Sequence, residues 1–74
     1  MIKARDLKIG DEFIDDRYIE VSPIKVLSVP RLVKSVHLQP KQLITFMGKN
    51  TYSLDEFPIA YELDYKLKLV EVEL

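Results

Sequence analysis

The stretch Ile59-Ala60-Tyr61-Glu62-Leu63-Asp64-Tyr65-Lys66-Leu67-Lys68-Leu69 decides the fold of this chain. Its odd positions are all apolar, and its even positions from Glu62 onwards are all charged. Because side chains of a strand alternate between two faces, this period of two predicts one continuous strand. From Val70 to Leu74 the apolar positions become even, so we predict a bulge or sharp bend near Leu69 and Val70. A bent strand of this kind can serve two sheets of a small barrel.

Turn residues divide the rest of the chain at intervals of about ten residues. Gly10, the connection Asp15-Asp16-Arg17 and the hairpin signal Gly48-Lys49-Asn50 are typical of turns. Ser53-Leu54-Asp55-Glu56 matches a capping box, but Pro58 follows too soon for more than one 3₁₀ turn. We therefore predict an all-β fold, a small antiparallel barrel of five to six strands with a short 3₁₀ turn before the last strand.

The opening Ala4-Arg5-Asp6-Leu7-Lys8-Ile9-Gly10-Asp11-Glu12-Phe13 resembles the start of many small phage-encoded SH3-like proteins. It is also similar to the Asp-Leu-x-x-Gly-Asp start of the barrel domain in elongation factor P and in related KOW-type translation modules. The resemblance implies an SH3-like barrel of about the length of this chain, and a phage origin. The chain lacks the exposed lysine in a glycine-rich hairpin loop of those translation factors, so the resemblance implies no functional residue.

Size and composition predict one domain that spans residues 1–74. The chain has 74 residues, of which 47% are hydrophobic, which suits one core and is too little for two. Without cysteine, neither a disulfide nor a thiolate metal site can reinforce that core, and the reducing cytoplasm is the expected compartment. The N-terminus lacks the apolar run of a signal peptide, and no stretch approaches the roughly 20 apolar residues of a membrane span. We therefore expect no membrane association.

Charge is divided by position along the chain. Residues 1–20, 21–54 and 55–74 carry net charges of −2, +5 and −4, which give −1 overall. A positive field attracts acidic partners, so the middle segment is the predicted binding region. Lysines at turns and edges would equally keep strands from pairing with other chains. The predicted binding residues are Arg31, Lys34, His37, Lys41 and Lys49.

Catalytic and metal-binding patterns are weak in this sequence. His37 is the only histidine, so no histidine cluster can form. Because it lies in a predicted strand, we expect it to be a surface residue and not a catalytic base. Two glycines are too few for a phosphate-binding loop. Four acids close together in the sequence carry oxygens that suit Mg²⁺ or Ca²⁺, namely Asp11, Glu12, Asp15 and Asp16. Acids are common in turns, so turn formation explains them without a metal. We predict no catalytic residue, no metal site, no cofactor and no enzymatic activity.

Two tyrosines of the deciding stretch, Tyr61 and Tyr65, fall on its apolar face. Aromatic residues in such positions usually fill a core, so we predict that both tyrosines line the barrel interior. An aromatic stripe that faces a partner is the alternative interpretation.

Three functions remain open from the sequence. The leading one is a phage-encoded binding module that docks on a host or phage protein and modulates it. The alternative is a nucleic-acid-binding barrel that uses the same basic residues on phosphates, with Tyr18 or Tyr52 stacking on bases. The third is a structural subunit that assembles through its terminal strands, because the tail Leu69–Leu74 keeps a strand-like apolar pattern to its end. Such a tail can pair with the N-terminal strand of its own chain or, by strand addition, with another copy in a homo-oligomer.

Overall fold

A computed structural model describes residues 1–15, 17, 22–35 and 41–70. Strands dominate these residues, and their only helical element is a 3₁₀ turn at Ala4–Asp6. The predicted all-β class is therefore confirmed. The strands are β1 (Ile2–Lys3), β2 (Glu12–Ile14), β3 (Ile24–Val26), β4 (Arg31–Ser35), β5 (Lys41–Asn50), β6 (Glu56–Glu62) and β7 (Lys66–Leu69).

All described strand pairs are antiparallel, and together they form one curled sheet. The strands lie in the order β1-β7-β2-β3-β5-β4, and β6 pairs with the other side of β5. The two ends of the described chain meet, because β1 pairs with β7 and the Ala4 N–H donates to the Tyr65 carbonyl at 2.8 Å. The sheet curls into a half-barrel, which confirms the prediction of a small antiparallel barrel.

The concave side of the sheet, called the inner face below, holds the core. Phe13 lies at its centre, with ring centroids 5.9 Å from those of Phe46 and Tyr61 in edge-to-face contacts. Tyr61 is buried and Tyr65 packs partly buried against the same cluster, so the predicted core position of both tyrosines is confirmed. The opposite side of the sheet is the outer face. The buried apolar residues are Ala4, Leu7, Phe13, Ile24, Val26, Ile44, Phe46, Tyr61 and Leu67.

The prediction of one continuous strand from Ile59 to Leu69 is wrong. β6 ends at Glu62, a turn follows, and β7 begins only at Lys66. The N-terminal 3₁₀ turn packs at the break, where the Arg5 N–H donates to the Leu63 carbonyl at 3.1 Å, and the Tyr65 N–H closes the turn by donating to the Glu62 carbonyl at 3.1 Å. The odd-numbered apolar residues face inwards both before and after the break. The alternation of apolar and polar residues therefore looks like that of one continuous strand. The bulge or bend predicted near Leu69 and Val70 is not seen in the described residues, because the Val70 N–H donates to the Glu12 carbonyl at 2.8 Å and so continues the register of β2 with β7. The change of apolar phase over residues 71–74 lies outside the described residues.

The predicted position of the 3₁₀ turn is also wrong, since it lies between β1 and β2. The connection from β5 to β6 is instead closed by Asn50, whose side-chain oxygen accepts the N–H groups of Tyr52 at 2.9 Å and Ser53 at 3.0 Å. Leu54 completes this turn with a φ of +67°. Asparagine side chains often close turns in this way, by accepting hydrogen bonds from the backbone N–H groups that follow them.

Gly48 serves packing and not the predicted hairpin turn. It lies inside β5 on the inner face, opposite Val26 on one side and Phe57 on the other. A Cβ at this position would lie 2.9 Å from Ile24 Cγ2 and would also collide with Ile59. Glycine at this site lets β3 and β6 bring their side chains together over β5.

Gly10 does serve the predicted turn. Its φ is +90°, a conformation that other residues resist. The Asp11 carboxylate accepts the Lys8 N–H at 2.8 Å, and the Gly10 N–H donates to the Val26 carbonyl at 2.8 Å. The turn therefore fixes the start of β2 against β3.

Candidate functional site

Three of the predicted binding residues share the outer face. Lys41 and Lys49 lie in β5 an even number of residues apart, so they point to the same side of the sheet. Arg31 pairs with Thr45 of β5, which lies on that side as well. A rise of about 3.4 Å per residue separates Lys41 from Lys49 by roughly 27 Å. These three cations form a widely spaced row instead of a compact patch.

The other two predicted residues are not in this row. Lys34 pairs with Gln42 and points to the side opposite Arg31, beyond the edge of the core, where it is exposed. His37 lies outside the described residues, so its part in binding stays a prediction.

Carboxylates from the acidic ends of the chain interrupt the row of cations. The Lys41 ammonium lies 2.9 Å from a carboxylate oxygen of Glu62 in β6. Strands of the acidic ends pair with strands of the basic middle, so the charge segregation seen along the sequence is lost in the sheet. The positive field of the row is weakened accordingly. Two further lysine–acid pairs lie directly opposite each other in the register, Lys25 with Glu12 and Lys49 with Glu56.

Arg31 differs from the lysines of the row. It lies opposite Thr45, whose partner on the far side is Ala60, and no described carboxylate forms an ion pair with it. It borders a shallow groove on the outer face, where Val29 and Met47 are 67% and 39% exposed. Arg31 is thus a cation beside exposed apolar groups. The groove also includes Ser28, Thr45, Pro58 and Ala60.

β4 exposes apolar side chains on both of its faces. Leu32 is 61% exposed and Val33 is 43% exposed, and successive residues of a strand point to opposite sides. The partner of Leu32 in β5, Ile44, is buried, so the core ends between these two residues. We call the exposed side chains of Arg31, Leu32, Val33 and Lys34 the β4 surface.

The hydrogen-bond register shows how the backbone of β4 is oriented. Residues of an antiparallel strand bond alternately to one neighbour and to the other. Met47, an odd-numbered residue of β5, directs its backbone groups to the side of β5 on which β3 and β4 lie. Its carbonyl accepts the Leu27 N–H and its N–H donates to Ser28 Oγ, both at 2.8 Å. The odd-numbered partners Arg31 and Val33 therefore bond to β5.

Leu32 and Lys34 consequently direct their N–H and C=O groups away from β5. β4 is the last strand in its direction of the sheet, and no described strand pairs with its other side. These backbone groups form an open strand edge, which can accept another strand.

β6 also has a side that pairs with no described strand, but a proline interrupts it. Even-numbered residues of β5 bond towards β6, as the Asn50 N–H donating to the Asp55 carbonyl at 2.9 Å indicates. Pro58 pairs with the odd-numbered Met47, so its nitrogen points to the outer side of β6. A proline nitrogen carries no hydrogen, and this edge therefore lacks a donor near its middle.

A buried carboxylate is the main feature that the sequence reasoning missed. The Asp15 side chain is 0% exposed and lies beneath the guanidinium of Arg17, with 2.7 Å between Oδ2 and Nη2. Arg17 Nε also donates to it at 3.1 Å, and the Tyr61 hydroxyl donates at 2.9 Å. A buried charge needs such partners, because an unpaired one would be costly.

Two stacked tyrosines complete this cluster. The rings of Tyr61 and Tyr65 are parallel within 8°, with centroids 5.3 Å apart, and the Arg17 guanidinium lies 4.4 Å from the Tyr65 ring centroid. Burial alone would raise the pKa of Asp15, but hydrogen bonds from Arg17 and Tyr61 outweigh burial and lower it. The hydrogen bond to Asp15 in turn raises the pKa of Arg17. Asp15 is therefore ionised at neutral pH and acts as a hydrogen-bond acceptor that fixes its neighbours.

The sequence does contain a signal for this cluster. Tyr61 and Tyr65 were assigned to the core, and a buried tyrosine hydroxyl usually finds a polar partner. That partner had to come from elsewhere in the chain, and Asp15 follows an apolar strand closely enough to point inwards. Which of the four N-terminal acids supplies it depends on the register of β2, which the sequence does not determine.

The acids considered as oxygen ligands lie in different environments. Asp11 belongs to the turn at Gly10, Glu12 lies opposite Lys25, and Asp15 faces the interior, while Asp16 is not among the described residues. Within residues 1–15, 17, 22–35 and 41–70, no group of three or more histidine or acidic side chains is arranged to hold a metal ion. The same residues contain no helix with the length and apolar character needed to span a membrane.

Comparisons with protein-family models, with curated proteins and with solved structures found no match to this chain. The SH3-like resemblance and the phage origin therefore stay predictions.

Proposed function

We propose that this protein is a non-enzymatic binding module that docks an acidic protein partner on the β4 surface. The observation that carries this proposal is the exposure of Leu32 and Val33 on an outermost strand, between two cations. Neither Arg31 nor Lys34 forms an ion pair with a described carboxylate.

Physical chemistry favours a partner at this position. Covering apolar surface releases about 25 cal/mol for each Å² removed from water, so a partner that contacts both faces of β4 would gain from Leu32 and Val33. The groove beside Arg31 adds the exposed apolar side chains of Val29 and Met47 on the outer face. Arginine is enriched at interfaces, where its guanidinium pairs with carboxylates while its stem packs on apolar groups.

The nucleic-acid alternative receives less support from the arrangement of charge. A phosphate site needs several cations free to displace counterions. Lys41 pairs with Glu62, and Lys25 and Lys49 each lie opposite an acid in the register, so carboxylates weaken the positive field of the basic middle. Tyr52 is 88% exposed but lies at the turn after β5, away from the β4 surface.

The proposal is tested by peptide binding followed by fluorescence anisotropy over a salt series. The probes are a blocked peptide of alternating glutamate and valine and the same peptide with every glutamate replaced by lysine. We expect the acidic probe to bind more tightly and the double variant Arg31→Glu/Lys34→Glu to weaken it on the order of tenfold. Lys66→Glu, which reverses an exposed charge on β7, is the matched control and should bind as the unaltered protein does.

Three results would contradict the proposal. The first is equal binding of the two probes. The second is a loss of binding in Lys66→Glu as large as the loss in the double variant. The third is tighter binding of duplex DNA than of the acidic probe, lost in the double variant, which would support the nucleic-acid function instead.

A further inference from the structure

We infer that the partner binds as an additional antiparallel strand on the open edge of β4, through a segment with the pattern acid–apolar–apolar–acid. This inference rests on the proposed function and specifies how the β4 surface would be used. The backbone groups of Leu32 and Lys34 provide the edge, and the four exposed side chains of β4 provide the selectivity.

The edge offers a set of hydrogen bonds that a strand can complete. Leu32 and Lys34 each direct one donor and one acceptor outwards, because Arg31 and Val33 use theirs on β5. An extended segment can bond to both residues, and main-chain bonds of this kind supply affinity in strand addition. Every described strand pair in the sheet is antiparallel, so we expect the added strand to follow the same geometry.

The side chains of β4 define which segment fits. In an antiparallel pair, directly opposite residues lie on one face with Cβ atoms about 4.5–5.5 Å apart. Residues opposite Val33 and Leu32 should therefore be apolar, one on each face. Residues opposite Lys34 and Arg31 should be acidic, again one on each face. An antiparallel partner runs from the position opposite Lys34 to the position opposite Arg31. Its four residues therefore have the order acid–apolar–apolar–acid.

Charge complementarity selects an acidic partner over a second copy of this chain. Two copies joined at β4 would place Arg31 and Lys34 of both copies on neighbouring strands, with no acid between them. Like charges close together across strands are destabilising. An acidic segment converts both cations into cross-strand ion pairs.

The open edge of β6 is a poorer site for the same interaction. Pro58 removes one donor from that edge, so a strand added there would leave an acceptor unpaired near its middle. The β4 edge contains no proline between Arg31 and Ser35.

The test uses the blocked peptide Thr-Glu-Val-Ile-Glu-Thr and two isomers of it with a single N-methyl group, titrated into the intact protein and followed by NMR. In the inferred register the isoleucine lies opposite Leu32 and bonds to it, while the valine lies opposite Val33 and directs its N–H to solvent. We expect N-methylation of the isoleucine to weaken binding on the order of tenfold and N-methylation of the valine to leave it unchanged. The amides of Leu32 and Lys34 should gain protection from hydrogen exchange when the peptide binds.

Failures of the two proposals are distinguishable. If a peptide with lysine in place of both glutamates binds equally well, the proposed function itself is wrong. If the acidic peptide binds selectively but both N-methyl isomers bind alike, strand addition is overturned and the docking function stands. Protection of Leu32 and Lys34 that rises with protein concentration alone would identify a second copy as the occupant and overturn the inference.

Discussion

At the scale of single residues, Asp15 stands out as a buried charged side chain among the described residues. Its carboxylate is fully buried and accepts hydrogen bonds from Arg17, Tyr61 and Tyr65. One acidic group thereby fixes the connection after β2 against the end of β6. The same kind of residue elsewhere in the chain, such as Asp64, is exposed and pairs with Arg5 at the surface.

Replacement of Asp15 by Asn should lower the free energy of unfolding by on the order of 1–3 kcal/mol, since the buried carboxylate loses its charge-assisted bonds to Arg17 and to the Tyr61 hydroxyl. Asp64→Asn is the matched control and should change stability by less than about 1 kcal/mol, because its ion pair is exposed. Urea denaturation followed by tyrosine fluorescence measures both values. Equal losses in the two variants would show that burial of Asp15 does not matter.

The pH dependence of this effect has a definite sign. The pKa of Asp15 is lowered in the folded protein, so the folded state binds its proton less readily than the unfolded chain, where the pKa is about 3.9. Its stabilisation is present above that pH and is lost as the pH falls through the lowered pKa. The difference in unfolding free energy between the unaltered protein and Asp15→Asn should be constant from about pH 5 to pH 8 and should shrink below about pH 4. A difference that grows on acidification would contradict the assignment.

At the scale of secondary-structure elements, β5 is the strand on which the sheet is built. It pairs with β3 and β4 on one side and with β6 on the other, over all of its ten residues. Gly48 lies where side chains from β3 and β6 meet above it.

Gly48→Ala should therefore destabilise the protein by about 1–3 kcal/mol, because the added methyl group overpacks the inner face. Trimming the neighbour in the double variant Gly48→Ala/Ile59→Val should recover part of that loss, whereas Ile59→Val alone should be mildly destabilising. Thermal unfolding of the three variants gives the coupling between the two positions. If the two losses simply add, the glycine is not required by contact with Ile59.

Elements were predictable from this sequence where local chemistry decides them. The turn at Gly10 and the inward position of Tyr61 follow from a single residue type and from a period of two, and both are confirmed. The break between β6 and β7 was not predictable, because the period of two continues through it and the 3₁₀ turn that bonds to it lies about sixty residues away in the sequence. The mixing of charges on the outer face was missed for the same reason, since it depends on which strands pair.

At the scale of the whole molecule, the fold depends on contact between the two ends of the described chain. β1 has only two residues, yet it covers β7, where Leu67 is 1% exposed. The Ala4 N–H continues this contact by donating to the Tyr65 carbonyl.

Deletion of residues 1–3 should uncover Leu67 and cost about 1.5–3 kcal/mol. For a domain of this size that corresponds to a fall in Tm on the order of 10 °C. Deletion of Met1 alone, which is 86% exposed, is the control and should leave Tm nearly unchanged. Calorimetry of the three proteins measures these shifts, and an unchanged Tm after the longer deletion would show that β1 does not contribute to closure.

Pro58 has a consequence for how far this sheet can grow. In the part of the sheet formed by β4, β5 and β6, the outer edge of β4 has backbone donors and acceptors at Leu32 and Lys34, whereas the outer edge of β6 lacks a donor at Pro58. Fibril growth requires each added molecule to present a new competent margin to the next one. Among these three strands, a molecule that joined through β4 would leave only the edge of β6, where the missing donor at Pro58 disfavours a further strand. Pro58 therefore opposes open-ended growth through β4, β5 and β6.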